Sequence, residues 1–195
     1  AGMGGLNYNF GERPVPGSAE TRGQSATIGF WQNKNGQALI LAFDGAATST
    51  RLGDWLAATL PNVFGASAGV NNLAGKSNID VAAAYQQQFV VKGVKLEAQL
   101  MATALSVYAT NSTLGGAWAA GYGFLVTEYG LGNSTYNIGA NGAAFGVADN
   151  TVLSVMDILL KADEQAVSGT LYNGQATLRK MANDVFGGIN ALGNI

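Results

Sequence analysis

The chain has 195 residues, of which 48% are hydrophobic and only 11% are charged, proportions that indicate a folded globular chain and exclude an intrinsically disordered one. It contains no cysteine and no histidine, which excludes disulfides, thiolate catalysis and histidine-dependent catalytic triads. The formal net charge is −2, with no basic run for nucleic acid and no apolar stretch of about 18 residues for membrane insertion.

The first 27 residues are rich in Gly, Pro, Ser and Thr and are predicted to form an extended arm or linker. Within this arm a strand is predicted at residues 6–10, where apolar side chains alternate with polar or glycine residues. The apolar positions are Leu6, Tyr8 and Phe10. The predicted organisation is therefore an arm over residues 1–27 and a single mostly helical domain over residues 28–195.

The first half of the domain has the apolar spacing of α-helices. One helix is predicted from about Asn35, and a second begins after Ser49 or Thr50, either of which can cap it. A third begins at Ser77, which together with Asp80 has the spacing of a capping box.

A fourth helix, from about Leu96 to Tyr108, has two apolar stripes and is predicted to be the buried central helix. Further along the chain, two short strands are predicted at about 123–129 and 134–138, around a Gly-Leu-Gly-Asn turn. Two more helices follow, the last at about 174–191. The predicted fold is mainly α, with five to six helices, a β-hairpin insert at about 123–138 and an extended N-terminal arm.

Aromatic and amide side chains concentrate in or near the predicted hairpin. Flat aromatic rings stack on sugars and amides hydrogen-bond to them, so the group is a candidate sugar-binding platform. Its members are Trp118, Tyr122, Tyr129, Asn133, Tyr136 and Asn137. The alternative interpretation is that these rings seat the hairpin on the helices.

Other chemistries have weaker support in the sequence. Residues 69–77, GVNNLAGKS, are similar to a phosphate-binding P-loop, but five residues rather than four separate the glycines and no strand precedes them. A structural calcium ion stays open, because carboxylate and amide residues cluster late in the chain without the spacing of an EF-hand. These residues are Asp149, Asn150, Asp157, Asp163 and Glu164.

Several segments resemble parts of large bacterial surface proteins. NYNFGE, residues 7–12, resembles the closing strand of the B-type repeats of serine-aspartate-repeat surface proteins. Four further segments resemble a C-terminal module that follows such repeats in exported proteins of environmental bacteria: residues 29–40, 52–65, 72–86 and 170–190. Some relatives carry a dockerin-like Asp/Asn loop before the last helix. This chain has Tyr172-Asn173-Gly174-Gln175 there, which weakens the calcium interpretation.

The resemblance implies a non-catalytic extracellular module that acts at the cell surface, in adhesion or in structural self-assembly. The strand at 6–10 would pair with a preceding repeat, or with the sheet of another copy to build a homo-oligomer or filament, the hairpin at 123–138 serving as acceptor. No cofactor is expected. Two other functions stay open: a module that binds polysaccharide or matrix through the aromatic platform, and an enzyme whose carboxylate or Ser/Lys site is not located.

Overall fold

Helices dominate the computed structural model, which describes residues 16–195, and the predicted mainly α fold is confirmed. Short 3₁₀ segments and irregular backbone connect the α-helices. The α-helices in this part of the chain are α1 (Ile28–Gln32), α2 (Lys34–Ala42), α3 (Arg51–Thr59), α4 (Pro61–Phe64), α5 (Asn78–Val90), α6 (Leu96–Thr110), α7 (Val155–Glu164) and α8 (Ala176–Leu192).

Helix α6 lies at the centre of the domain, and it packs against α1, α5, α7 and α8. Its side chains are buried almost throughout, as the two apolar stripes predict. The hydroxyls of Thr103, Ser106 and Thr110 are buried as well, and each donates to the carbonyl four residues earlier. These bonds satisfy the polar groups locally, so the helix can be surrounded by other elements on all sides.

Three of the described α-helices begin at a residue whose side chain caps them. The Ser77 hydroxyl accepts from the Asp80 N–H and the Asp80 carboxylate accepts from the Ser77 N–H, so the predicted capping box is confirmed. Asn33 caps α2 and Ser154 caps α7 in the same manner. No described helix is long and apolar enough to cross a membrane.

Two small antiparallel sheets accompany the helices. The first pairs β1 (Thr135–Asn137) with β2 (Val152–Ser154), with Tyr136 opposite Leu153. The second pairs β3 (Ala166–Val167) with β4 (Thr170–Leu171) in a tight hairpin.

The predicted hairpin at 123–138 is wrong. The strand expected at 134–138 exists as β1, but its partner is β2 and not residues 123–129. Thr127 instead forms a single bridge to Asn111, and its N–H donates to the carbonyl of Thr110 at the end of α6. Residues Leu131–Asn133 of the predicted Gly-Leu-Gly-Asn turn form a 3₁₀ turn, and the two segments on either side do not pair with each other.

Candidate functional site

The predicted assembly strand, Leu6, Tyr8 and Phe10, lies outside the described residues. The chain that follows it enters the domain through a segment that pairs with two distant regions. At one end Ala19 forms a parallel bridge to Thr135 of β1, and at the other Ser25 forms a parallel bridge to Asn194. Residues 17–26 therefore extend the β1–β2 sheet at one end and contact the chain just beyond α8 at the other.

Backbone hydrogen bonds define both attachments. The Thr135 N–H donates to the Ser18 carbonyl over 2.8 Å, and the Glu20 N–H donates back to Thr135 over 3.2 Å. At the second attachment the Ser25 N–H donates to the Gly193 carbonyl over 2.9 Å, and the Ile195 N–H donates to Ser25 over 3.1 Å.

Buried side chains reinforce the same segment. The Ser25 hydroxyl donates to the Ile189 carbonyl over 2.8 Å, inside the last turn of α8. The Ala26 N–H donates to the Ser106 hydroxyl of α6 over 3.3 Å. Glu20, Gln24, Ser25 and Ala26 are buried, so this segment packs against the domain, although residues 16, 17, 19, 21 and 22 are exposed.

Glu20 is the most unusual group of this segment. It is only 6% exposed, and neither of its carboxyl oxygens has a hydrogen-bond partner of normal geometry among the described residues. Burial raises the pKa of Glu20 to about 8, although the nearby Ser25 hydroxyl and Gly193 N–H lower it. The carboxyl is therefore largely protonated at neutral pH, a state in which it can donate one hydrogen bond.

The six residues of the predicted sugar platform differ in their exposure and in their contacts. Tyr136 turns inward, and its hydroxyl lies against the backbone of Gly188 in α8. Burial raises the Tyr136 pKa, and the charge of Glu20 adds to the effect. Tyr122 packs against the core, and the Asn137 side chain accepts from the Gly139 N–H.

The remaining platform residues are more accessible. Tyr129 is 43% exposed, and its carbonyl accepts from the side-chain amide of Asn133 over 2.9 Å. Trp118 is 50% exposed and lines a surface cavity of about 320 Å³ together with Asp44 and Arg51. The structure thus leaves a Tyr129–Asn133 pair and a separate cleft that contains Trp118.

A further cavity, also about 320 Å³, lies between α5 and the start of α8. Gln87, Gln88 and the Arg179–Glu97 ion pair line it, and the two charged groups are 2.7 Å apart. Because each ion satisfies the other, this cavity presents amides and exposed valine side chains rather than an unpaired charge.

Three of the carboxylates considered for a calcium ion accept hydrogen bonds from protein groups in different parts of the fold. Asp163 caps α4 by accepting from the N–H groups of Asn62 and Val63. Asp157 accepts from the Ser154 hydroxyl, and Asp149 accepts from the Gly142 N–H. Across residues 16–195 no three acidic side chains lie together as a metal site would require.

Comparisons with protein-family models, with curated proteins and with solved structures gave no significant match.

Two of these features were not predicted from the sequence: the burial of Glu20 and the backbone conformation of Asp44. Glu20 lies in a polar, proline-containing stretch, and nothing local signals its burial, because Gly193 and Ser25 enclose it only after the chain folds. Asp44 sits in a loop with φ of 58°, a left-handed conformation that Asp tolerates better than most residues and that is enriched at functional sites. The Asp44-Gly45 dipeptide, a common turn sequence, is the only local feature that indicates this conformation.

Proposed function

We propose that this chain is a non-catalytic extracellular structural module of a bacterial surface or matrix protein, joined to its neighbours through its N-terminal segment. The observation that carries the proposal is the double attachment of residues 17–26 to Thr135 and Asn194. A flexible tether would not need buried partners, whereas a module that holds its position in a larger protein benefits from a fixed entry point.

The geometry of the second attachment supports a mechanical role. Ser25 and Asn194 pair in parallel. When the chain is pulled from the N-terminal side of Ser25 and from the C-terminal side of Asn194, the two forces act along the pair in opposite directions. Their hydrogen bonds are then loaded together in shear rather than opened one at a time. The attachment is suited to resist tension.

Self-assembly through the strand predicted at 6–10 is part of the same proposal. The strand that accepts it is now β2 and not the predicted hairpin at 123–138. The hairpin at 123–138 does not form, and the outer side of β1 already pairs with residues 17–20. Strand β2 is at the other end of this three-stranded arrangement, and Val152 within it is 57% exposed. Among residues 16–195 the only strand paired with β2 is β1, and an unpaired strand edge can accept a strand from another copy.

Composition supports the extracellular assignment. Only 11% of the residues are charged, so much of the surface consists of small, hydroxyl and amide side chains. Such surfaces pack closely against neighbouring subunits with little desolvation of charge. Together with the resemblance to surface-protein modules, this favours a neighbouring surface-protein domain or a second copy as partner.

The assembly hypothesis is tested by light scattering over a concentration series. The full chain is expected to form concentration-dependent oligomers, and removal of residues 1–15 is expected to abolish them. Val152→Lys on β2 should have the same effect, because a lysine at a strand edge opposes edge-to-edge pairing. Val167→Lys on β3 is the matched control, since Val167 is 64% exposed and lies in the other sheet.

A monomeric full chain at every concentration would overturn self-assembly. Equal loss of oligomers with Val167→Lys would overturn β2 as the acceptor. The attachment itself is tested separately by single-molecule pulling from residues 16 and 195. Replacing Ser25 by proline removes the N–H that donates to Gly193, and it should lower the unfolding force clearly if this pair resists tension.

A carbohydrate-binding module is the second candidate function. The observation in its favour is the half-exposed indole of Trp118, which lies in a polar cleft rather than in a continuous platform.

A further inference from the structure

Two adjacent cavities on the surface near Trp118 share part of their lining and are together called the cleft. The first, about 320 Å³, is lined by Asp44, Trp118 and the loop 112–116. The second, about 230 Å³, is lined by Trp55 and the end of α6, and both cavities share Arg51 and Leu114. The first cavity has the size of a small-molecule site. Because Arg51 and Leu114 line both cavities, one extended ligand can contact both.

A buried carboxylate positions the cation between the two cavities. The Asp44 side chain is 4% exposed and lies 2.9 Å from the Arg51 guanidinium, whose own side chain is 66% exposed. The Tyr108 hydroxyl donates to the second carboxylate oxygen of Asp44 over 2.8 Å. A guanidinium has five N–H donors, so the ion pair leaves further donors of this exposed side chain for a ligand.

Trp118 provides an apolar face beside this cation. The indole lies against Gly45 and Gly116, and a Cβ at either position would be within 3.7 Å of it. The backbone thus supports the ring from two sides although half of the side chain is exposed. Both glycines have positive φ, 78° and 65°, which larger residues rarely adopt, so this support depends on their identity.

The donors and acceptors of the cleft match a polyhydroxylated ligand. Ser112 and Thr113 are exposed on the wall formed by the 112–116 loop. Asp54 lines the second cavity, and its carboxylate already accepts from the Thr50 hydroxyl and the Gly75 N–H. The formal charges of Arg51, Asp44 and Asp54 leave a net charge of −1, which disfavours an anionic ligand. A sugar ring can stack its C–H face on Trp118 while its hydroxyls bond to Arg51.

We propose that the cleft between Trp118 and Trp55 binds a neutral oligosaccharide, with Trp118 as the stacking surface and Arg51 as the central hydrogen-bond donor. The inference does not depend on strand-mediated assembly. The chain lacking residues 1–15 should bind as the full chain does, so failure of one hypothesis leaves the other testable.

The experiment is isothermal titration of the full chain with hexasaccharides of glucose, mannose, galactose and N-acetylglucosamine, with hexagalacturonate as an acidic probe. At least one neutral hexasaccharide should bind, and Trp118→Ala should weaken that binding by about tenfold or more. Arg51→Lys should also weaken it, because lysine keeps a charge for Asp44 but lacks the fork of donors. The control is Tyr129→Ala, an exposed aromatic that does not line the cleft.

Three outcomes would overturn the proposal. One is the absence of measurable binding to every neutral probe at millimolar concentration. Another is equal loss of affinity in Trp118→Ala and Tyr129→Ala, which would place the site elsewhere. The third is preference for the galacturonate probe. Unfolding midpoints measured for each variant establish that the affinity changes come from the cleft and not from loss of the fold.

Discussion

The side-chain amide of Gln24 donates to the hydroxyl oxygen of Ser134 across 2.9 Å, and both residues are buried although 110 positions separate them. The Gln24 carbonyl oxygen also accepts from the Thr21 N–H over 2.7 Å. The Gln24 side chain therefore makes one hydrogen bond within residues 17–26 and another to Ser134, the residue before β1. This contact is what joins the N-terminal segment to the small sheet from inside the protein.

Replacing Gln24 by methionine should destabilise the domain clearly. The variant keeps the length of the side chain but leaves the Thr21 N–H and the Ser134 hydroxyl without their partners. A loss of about 2 kcal/mol in the free energy of unfolding is expected, measured by urea denaturation. Gln87→Met, at an exposed position of α5, is the control and should change stability by less than about 0.5 kcal/mol. Equal effects of the two substitutions would contradict a special role for Gln24.

Glu20 should make the stability of the domain depend on pH between about 4.5 and 8. Burial raises the folded-state pKa of this carboxyl to about 8 from an ordinary value of 4.5. Between these values the folded protein binds the proton more tightly than the unfolded chain does. Stability is therefore complete below pH 4.5 and falls as the pH rises toward 8, by at most about 1.4 kcal/mol per pH unit.

The test compares unfolding of the wild-type chain and Glu20→Gln from pH 5 to pH 9. Glutamine cannot ionise, so the variant should lose the decline in stability that Glu20 causes. The difference between the two proteins should grow with pH and level off above about pH 8. A constant difference across this range would show that the carboxyl does not titrate as its burial requires.

Prediction from the sequence was correct where the determining contacts are close in the chain. The Ser77–Asp80 capping box needs only three residues of separation, and the apolar stripes of α6 follow from helical periodicity. It failed for the hairpin, because β1 pairs with residues 152–154, and the intervening 3₁₀ segments carry no clear periodicity. The burial of Glu20 and the cleft around Asp44 likewise depend on contacts between distant parts of the chain.

Asp163 should be essential for the start of α4. Its carboxylate accepts from the N–H groups of Asn62 and Val63, 3.0 and 2.9 Å away, although it belongs to α7 about 100 residues later. Asp163→Ala leaves the Asn62 N–H without its acceptor and the Val63 N–H with only a 3.2 Å bond to the Leu60 carbonyl, and a loss of about 2 kcal/mol in unfolding free energy is expected. The comparison is Asp157→Ala, which removes an exposed carboxylate from the start of α7. Its loss should be smaller, about 1 kcal/mol or less, and a larger loss for Asp157→Ala would contradict this assignment.

Replacing glycine by alanine inside a helix should lower the stability of the protein at Gly53 but not at Gly187. In a helix interior alanine is more favourable than glycine by about 1 kcal/mol. The net change in stability therefore depends on whether the added Cβ clashes with neighbouring atoms. At Gly53 in α3 a Cβ would lie 2.8 Å from the Leu73 carbonyl oxygen and still closer to that of Lys76. These are backbone atoms, which cannot move away without displacing the loop to which they belong. At Gly187 in α8 the nearest atom is the end of the Gln99 side chain, 3.4 Å away.

Thermal unfolding should therefore show a lower midpoint for Gly53→Ala and an unchanged or higher midpoint for Gly187→Ala. The loss at Gly53 is expected to be about 2 kcal/mol, because relieving the clash requires α3 to move away from the 73–76 loop. That loop leads into the capping box of α5, so the same displacement should loosen the start of α5. Hydrogen exchange at the Asp80 N–H reports it directly, and unaltered protection there in Gly53→Ala would argue against close packing of α3 on this loop.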